Sequence, residues 1–306
     1  MKDFIAIADF SAGQLEALLA RASAEKARFV SGELPATCPR KTLALVFEKP
    51  SLRTRVSFAT AMVQLGGSSI YLAGEQIGLG EREPVTDVAA VLGRMCDGIA
   101  ARTFAHETVV ELARCAAVPV VNALTDYSHP CQAMADLMTI AERGAGPAGA
   151  TLAFVGDGNN VARSLASACT TLGMDFVLAC PPGYELDAEF ASSLAGRPGR
   201  FEQTHDARAA VAGATVVYTD TWVSMGQEAE KARRVAAFED FRVDEALMAA
   251  AAPGTPVMHC LPAYRGVEIS AGVMAAHAET IFTQAANRLH FQRALLNALI
   301  AEGGIG

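Results

Sequence analysis

The chain has 306 residues, of which 51% are hydrophobic and 19% are charged, and its formal net charge is −8. This length allows one large or two medium domains, and the apolar content excludes an intrinsically disordered chain. The acidic balance disfavours a broad nucleic-acid surface, although a few local cations are enough to bind a small anion.

Short apolar runs alternate with amphipathic stretches of helical length along nearly the whole chain. This alternation predicts βαβ units and parallel sheets, because strands covered on both faces read as continuous apolar runs. One helix, over residues 11–28, opens the series, and another, over residues 288–301, closes it. The predicted strands are 43–47, 69–72, 98–101, 119–122, 151–155, 176–179, 215–219 and 256–259, and the helices between them include 58–65, 85–95, 131–141 and 162–172.

A segment rich in Gly and Pro, over residues 142–149, separates the fourth predicted strand from the fifth. Such composition is typical of a domain boundary. The sequence therefore predicts an α/β protein with two doubly wound parallel-sheet domains, over 1–141 and 150–286, of about four strands each. Ligands of open parallel sheets bind beyond the carboxyl ends of the strands, so the residues that follow each strand are the candidate site.

The cysteine pattern bears on the compartment and on metal binding. Seven cysteines are scattered along the chain without a Cys-x-x-Cys pair, which argues against a disulfide framework and against a zinc cluster. No apolar run reaches the ~18 residues of a membrane span, and the N-terminus shows no secretory signal. We therefore expect a cytoplasmic protein with reduced thiols, no metal and no membrane partner.

The segment Ser51-Leu52-Arg53-Thr54-Arg55 follows the first predicted strand and begins an apolar helix. Ser51 is predicted to cap this helix, whose free N–H groups favour an anion. Arg53 and Arg55 add charge, and the hydroxyls of Ser51 and Thr54 add donors, so the segment suits a phosphate group. The alternative is a capped helix whose arginines face water.

Three further polar residues follow the third and fourth strands. Arg102 closes one strand, and His129 and Gln132 flank Pro130 after the next. A proline at the first helical position is preorganised, so both side chains could line one helix start. His129 could donate to a carbonyl oxygen and Gln132 could accept from an amide. The alternatives are a solvated or ion-paired arginine, a capping histidine and a surface glutamine.

The segment Gly156-Asp157-Gly158-Asn159-Asn160-Val161 follows a strand and opens a helix, as a dinucleotide fingerprint does. The third glycine position is Val161, however, and the next strand ends in Ala179-Cys180 without an acidic residue. An NAD-dependent dehydrogenase is therefore a disfavoured alternative. Asn160 could instead present its amide to a ligand, whereas Asn159 fits a turn equally well.

Polar residues also follow the last predicted strands. Asp220 can bind an ammonium group, and the turn Ser224-Met225-Gly226 can bind a carboxylate through N–H groups, so together they suit an amino acid. The alternative is a strand-end loop with one solvated Asp. Cys260 is either a nucleophile or a packing residue, and Arg288 could cap the last helix or reach the site.

In this order, the motifs resemble those of the aspartate/ornithine transcarbamylase family over essentially the whole chain. Ser-x-Arg-Thr at 51–54 and His-Pro-x-Gln at 129–132 resemble the family's carbamoyl phosphate site. Asp-x-x-x-Ser-Met-Gly at 220–226 and His-Cys-Leu-Pro at 259–262 point to the branch that acts on ornithine. The resemblance implies carbamoyl transfer from carbamoyl phosphate to the δ-amine of L-ornithine, giving L-citrulline and phosphate in arginine metabolism, without a cofactor.

The resemblance also implies residue roles. The catalytic residues would be Arg102, His129, Asp220 and Cys260. Ornithine would bind to Asn160, Asp220, Ser224 and Met225. Carbamoyl phosphate would bind to Ser51, Leu52 (through its backbone), Arg53, Thr54, Gln76 from a neighbouring subunit, Arg102, His129, Gln132, Cys260, Leu261 and Arg288.

The family's architecture implies that residues 1–141 bind carbamoyl phosphate and residues 150–286 bind ornithine, with the active site in the cleft between the domains. The closing helix, at about 287–302, would pack back on the first domain. Since the family forms trimers, a homotrimer or a multiple of trimers is expected, with small-molecule substrates and no nucleic acid as partner.

The sequence departs from the family at two positions. Leu52 stands where Thr or Met is common, which a backbone role tolerates, and Tyr264 stands where His is usual, so an imidazole is not required there. The alternatives within the family are enzymes for acylated ornithine, putrescine or aspartate. A putrescine enzyme would not need the turn at 224–226, and an aspartate enzyme would want cations where Asp220 stands. The direction, anabolic or catabolic, stays open.

Overall fold

The computed structural model describes residues 1–80, 82–144, 146, 149–223, 226 and 228–306, with the backbone alone at 75, 76 and 228. Among these residues, no helix is both long and apolar enough to cross a membrane. The strands are β1 (Thr42–Phe47), β2 (Ser68–Ala73), β3 (Gly98–Arg102), β4 (Val120–Leu124), β5 (Thr151–Val155), β6 (Asp175–Ala179), β7 (Phe201–Thr204), β8 (Val216–Thr219) and β9 (Val257–His259).

Between the first strand and the last, helices connect consecutive strands, as the alternating pattern predicts. They are α1 (Ala12–Val30), α2 (Leu52–Gln64), α3 (Gly74–Ile77), α4 (Val85–Met95), α5 (His106–Cys115), α6 (Pro130–Glu142), α7 (Asn160–Thr171), α8 (Ala188–Ser193), α9 (Ala207–Ala212), α10 (Lys231–Ala237), α11 (Glu245–Met248), α12 (Ala271–Ala276) and α13 (Ala278–Leu296). A π-helical turn over Asn297–Ala301 continues α13.

The chain divides into two compact units. Unit 1 comprises Met1–Ala135 and Ala286–Gly306, and unit 2 comprises Asp136–Ala285. This division falls within α6 and α13, whereas the Gly- and Pro-rich segment at 142–149 follows α6. Each unit holds a parallel sheet flanked by helices, which confirms the predicted fold class.

The described strands of unit 1 form a parallel sheet in the order β2-β1-β3-β4. Strand β3 is buried throughout and β1 nearly so, which is why both read as continuous apolar runs. In register, Phe47 pairs with Arg102, and Arg102 pairs with Leu124. The loops after β1, β3 and β4 therefore leave the sheet at one edge.

The described strands of unit 2 form a parallel sheet in the order β7-β6-β5-β8-β9. Its core includes Trp222, Phe238 and Ile281, all almost fully buried. Val155 is in register with Thr219, and Thr219 with His259, so the residues after β5, β8 and β9 stand side by side. This alignment brings the segments that begin at Gly156, Asp220 and Cys260 to one edge.

Two predictions about the elements are wrong. Strand β7 was not predicted, because Phe-Glu-Gln-Thr is a polar sequence on a partly exposed edge strand. The closing helix starts at Ala278 rather than at residue 288. Its first half has polar residues at helical spacing, Thr280, Gln284 and Asn287, and all three are buried. Apolar periodicity cannot reveal a helix whose buried face is polar.

Candidate functional site

Hydrogen bonds tie together the three loops at the edge of the unit 1 sheet. The backbone N–H of Glu48 donates to the carbonyl of Arg102 (2.9 Å), and the Glu48 carboxylate accepts from the backbone of Phe104 (2.7 Å). The backbone of Asp126 donates to the Phe104 carbonyl (2.9 Å), and Lys49 forms an ion pair with the Asp126 carboxylate. These contacts hold the strand-end side chains in one place.

Helix α2 begins as predicted. Ser51 is its N-cap, in extended backbone conformation, and the Ser51 hydroxyl accepts from the Thr54 N–H at 3.3 Å. Leu52, the first residue of α2, is 75% exposed, so its side chain is not packed in the core. The guanidinium of Arg55 lies over the ring of Tyr71, 3.8 Å from its centroid.

Two arginines from distant parts of unit 1 meet at the hydroxyl of Thr54. Arg288 Nη2 donates to Thr54 Oγ1 at 2.7 Å, and Arg102 Nη1 donates to the same oxygen at 3.5 Å. All three side chains are buried. Because the oxygen accepts from both cations, its own O–H proton is left for another acceptor. We call Arg53, Thr54, Arg102 and Arg288 the arginine cluster.

Without a bound anion, the positive charges of the arginine cluster repel one another. Burial lowers the pKa of Arg102 to about 10, and the neighbouring charges of Arg288 and Arg53 add to this effect. Arg102 therefore keeps its charge at neutral pH while the cations repel one another. A bound phosphate group would offset both the repulsion and the lost hydration, so the cluster is suited to an anion.

Helix α13 supplies Arg288 to the arginine cluster and is anchored to α1. Arg288 is positioned by its neighbour Asn287, whose amide oxygen accepts from Lys26 at 2.8 Å, and by an ion pair of Arg293 with Glu25 (3.1 Å). This second pair anchors the same helix one turn and a half further on.

His129 is held by a tight turn and faces the arginine cluster. Within the turn, Ser128 N–H donates to Thr125 Oγ1 at 3.1 Å, and Asn122 Nδ2 donates to Ser128 Oγ at 2.9 Å. Helix α6 then begins at Pro130, as predicted, and Gln132 is buried in its first turn. Burial, aided by the nearby arginines, lowers the pKa of His129 well below its usual value, so its imidazole is neutral.

In unit 2, hydrogen bonds converge on the carboxylate of Asp220. Its Oδ1 accepts from the Thr221 N–H (2.7 Å) and from the Cys260 thiol (2.9 Å). Its Oδ2 accepts from the Asn159 amide at 2.9 Å. A carboxylate has about four acceptor positions, so room remains for one more donor, such as an ammonium group.

The glycine-rich segment before α7 does not form a nucleotide site. Asn159 caps α7, and its side-chain oxygen accepts from the N–H groups of Val161 (2.9 Å) and Ala162 (3.1 Å). A dinucleotide pyrophosphate would need those donors. A Cβ at Gly158 would lie only 2.7 Å from the backbone of Glu185, so this glycine is required by close backbone packing.

Asn160 and Leu261 lie at the same edge of unit 2. Asn160 is the first residue of α7 and is half-buried. Leu261 has a left-handed φ of +60°, which is costly for a branched residue. Its N–H donates to His259 Nδ1 at 2.9 Å, and this bond holds the turn that presents Cys260. Ser224 and Met225 lie outside the described residues, as does the side chain of Gln76 in α3.

His259, the first residue of the His-Cys-Leu-Pro motif, belongs to this edge, and so does Glu268, which the sequence did not reveal. Since His259 Nδ1 accepts from Leu261, Nε2 carries the proton and donates to Glu268 at 3.1 Å. Ligand atoms of Asp220, His259 and Cys260 lie within 4.8 Å of one another. Both ring nitrogens of His259 are engaged, however, so the arrangement suits a hydrogen-bonded edge better than a three-ligand metal centre.

A buried polar network supports strands β8 and β9. Asp136 accepts from the hydroxyl of Tyr218 (3.0 Å) and from the amide of Gln284 (2.7 Å). The Gln284 oxygen accepts from the backbone N–H of His259 at 2.9 Å, one residue before Cys260. A single acidic residue in the apolar stretch of α6 was the available sequence signal for Asp136.

The two groups of side chains define a two-unit α/β protein with an arginine-rich edge in one unit and an acidic, thiol-bearing edge in the other. The family model "Aspartate/ornithine carbamoyltransferase, carbamoyl-P binding domain" matches residues 2–142. The model "Aspartate/ornithine carbamoyltransferase, Asp/Orn binding domain" matches residues 148–299. The chain belongs to the aspartate/ornithine carbamoyltransferase family.

Individual relatives match over nearly their full length. An ornithine carbamoyltransferase of Parasynechococcus marenigrum (strain WH8102) is 48% identical, over 99% of this chain and 95% of the relative. One of Geobacillus stearothermophilus is 47% identical, over 98% and 97%. The solved structure of ornithine carbamoyltransferase from Pyrococcus furiosus superimposes with a TM-score of 0.94 at 44% identity, covering 99% of this chain and 97% of that chain.

Substitution of Arg102 should separate anion binding from stability. We expect Arg102→Met to weaken binding of inorganic phosphate at least tenfold, since a charged hydrogen bond contributes about 1.5–3 kcal/mol. The free energy of unfolding without anion should rise by about 1 kcal/mol, because a buried, repelled charge is removed. Calorimetry and urea titration measure the two effects. Arg55→Met, on the Tyr71 ring, is the control, and equal phosphate affinity in both variants would contradict the assignment.

The protonation state of His129 can be measured directly. Because burial and the adjacent cations lower its pKa, we expect the His129 imidazole to stay neutral through the pH range in which an ordinary histidine titrates. The measurement is NMR of ring-labelled histidine, with the signal assigned by its loss in His129→Gln. A titration midpoint for this signal between pH 6 and pH 7 would show that the imidazole is not shielded in this way.

Proposed function

We propose that this chain transfers the carbamoyl group of carbamoyl phosphate to the δ-amine of L-ornithine, giving L-citrulline and phosphate. The observation that carries the proposal is the arginine cluster, where cations meet at one hydroxyl beside a helix N-terminus. The names of close relatives support ornithine as the acceptor. The reaction needs no cofactor, because it moves one acyl group between two nucleophiles.

The anionic donor would bind in unit 1. The phosphate would lie at the start of α2, against Ser51, the Leu52 N–H, Arg53 and the guanidinium of Arg102. A helix N-terminus and adjacent arginines are general features of phosphate sites. The phosphate is the leaving group, so these contacts also stabilise the charge that it gains.

The carbamoyl oxygen would face the donors of the same cluster. Thr54 keeps a free proton because its oxygen already accepts from two arginines, and Arg102 and a neutral His129 add further donors. Negative charge grows on this oxygen as the amine attacks, and one such donor typically contributes 10²–10³ in rate. Gln132, in the first turn of α6, and the Leu261 carbonyl would bind the carbamoyl NH₂ group.

The acceptor amine would bind in unit 2. A lysine-like amine has a pKa of ~10.4, so making it neutral at pH 7 costs roughly 4–5 kcal/mol. Asp220 has an acceptor position left beside Cys260, Thr221 and Asn159, and it could bind the ammonium form and orient the amine as the proton leaves. The Cys260 thiol donates to Asp220, which favours a positioning role over a nucleophilic one.

The rest of ornithine would be bound by neighbouring residues. Asn160, at the start of α7, would bind the α-amino and carboxylate end together with Ser224 and Met225. Ornithine has both an amine and an amino-acid end, whereas putrescine lacks the amino-acid end. Aspartate is disfavoured because its second carboxylate would meet Asp220 rather than a cation.

We also propose a homotrimer, or a multiple of trimers, that works in the cytoplasm in arginine biosynthesis. Leu52, Val56 and Val63 are exposed on one face of α2, at spacings of four and seven residues, and Ile70 is exposed on the edge strand β2. Such an apolar stripe supports contact with another copy. Gln76 would then reach a neighbouring site, and seven free cysteines support a reducing compartment.

A citrulline assay with a panel of amines tests the substrate. We expect turnover with L-ornithine and carbamoyl phosphate, and at least 100-fold lower kcat/KM with putrescine, acetylated ornithine or aspartate. The reason is that each of these lacks one of the two ends that Asp220 and the Asn160 edge would bind. Preference for one of the other amines would refute ornithine and leave the family assignment standing.

Asp220→Asn tests the acceptor half separately. We expect kcat/KM for ornithine to fall at least tenfold, since a hydrogen bond to a charged group contributes about 1.5–3 kcal/mol. The dissociation constant of carbamoyl phosphate should stay within twofold, because its proposed ligands at the start of α2 are in unit 1. Calorimetry supplies this control, and an unchanged kcat/KM would exclude Asp220 from amine binding.

A further inference from the structure

Arg234, on α10, is a buried cation to which the proposed mechanism gives no role. It is 5% exposed. Its Nη2 forms an ion pair with the Asp157 carboxylate, and its Nε donates to the backbone carbonyl of Trp222. A guanidinium that bridges a carboxylate and a carbonyl uses its fixed planar geometry to hold both at once.

Besides Glu230, whose carboxylate lies 3.7 Å from Nη1, Arg234 has two partners in the two loops that carry the proposed ornithine ligands. Asp157 lies in the loop between β5 and α7, two and three residues before Asn159 and Asn160. Trp222 lies two residues after Asp220. The two loops already meet through the hydrogen bond from Asn159 to Asp220. Arg234 connects them a second time, through Asp157 in one loop and Trp222 in the other.

The surroundings of Arg234 make this connection rigid. The Trp222 side chain is almost fully buried and stacks on Phe238, with 5.6 Å between ring centroids. The guanidinium carbon of Arg234 lies 4.9 Å from the ring centroid of Tyr184. Water is therefore largely excluded, and the attraction between Arg234 and Asp157 is stronger than it would be on the surface.

We propose that the Arg234–Asp157 pair is a positioning device that sets the geometry of the two ornithine-binding loops. This inference rests on the proposed function and adds residues that do not touch the substrate. Loss of either partner should let the loops separate, so that ornithine must reorder them when it binds. The affinity for ornithine should fall, whereas the affinity for carbamoyl phosphate should not change, because its proposed phosphate site lies in unit 1.

The charge state of Asp157 gives the device a pH dependence. Burial raises the pKa of Asp157 to about 6; Arg234 opposes this shift, while Asp220 and Glu230 add to it. The thiol of Cys180 also faces Asp157. Above about pH 6 the carboxylate is charged and pairs with Arg234, and below it the proton removes the ion pair. The loops should therefore loosen as the pH falls through about 6.

Steady-state kinetics tests the positioning role. We expect Arg234→Met and Asp157→Asn each to raise KM for ornithine at least tenfold, with KM for carbamoyl phosphate within twofold of the wild type. The double variant should raise KM for ornithine by less than the product of the two single-variant factors, because both substitutions remove the same interaction. Arg234→Lys, which keeps the charge without the fork, should recover part of the loss.

Arg233→Met is the matched control. Arg233 is the preceding residue on α10, its side chain is 70% exposed, and it pairs with Glu230 at the surface. Its substitution should leave both KM values unchanged. Equal losses for both substrates in the Arg234 and Asp157 variants, or ornithine KM values within twofold of the wild type, would overturn the inference.

Trp222 supplies a readout that does not depend on turnover. It is the chain's single tryptophan, so intrinsic fluorescence reports on this loop. We expect the wild-type signal to titrate with a midpoint near pH 6 and the Asp157→Asn signal to stay flat. A wild type that titrates but forms no citrulline refutes the proposed function and, with it, the ornithine role of the pair. A flat wild-type signal refutes the coupling itself.

Discussion

Unit 1 must hold like charges together around one hydroxyl group. Arg288 and Arg102 both donate to Thr54, and Arg53 adds its charge to the same place. Such a cluster costs free energy in the ligand-free protein and becomes favourable only when an anion is bound. The sheet register, the capped helix α2 and the anchored helix α13 can all be understood as the framework that keeps these cations in place.

Unit 2 holds a buried negative charge, the Asp220 carboxylate, by surrounding it with hydrogen-bond donors. Three donors surround Asp220, namely Asn159, Thr221 and Cys260. They follow strands β5, β8 and β9, respectively. Behind these loops, Arg234 and the network around Asp136 fix the backbone. A buried carboxylate that is hydrogen-bonded in this way keeps its orientation, which amine recognition requires.

Much of the fold was predictable, and part of the site was not. Strand β5 and helix α4 agree with the structure to the residue, since uninterrupted apolar patterns determine them. The cap at Ser51 was predictable from residue type alone. Asn159 was not, because a turn and a cap use the same residue, and its second bond to Asp220 crosses between loops. Gln284 and Asp136 were missed since polar residues on helices ordinarily face solvent.

The amino-acid pattern alone specifies the alternation of strands and helices. It also specifies the order of the strand-end motifs, which indicates the carbamoyltransferase family. Which of those residues meet depends on the folded arrangement of distant elements. This arrangement brings Arg288 to Thr54 across 234 positions and places Arg55 on Tyr71, although Arg55 is only one residue from Thr54. The physical reason is that local patterns specify elements, whereas a side chain's partners depend on register and packing between distant elements.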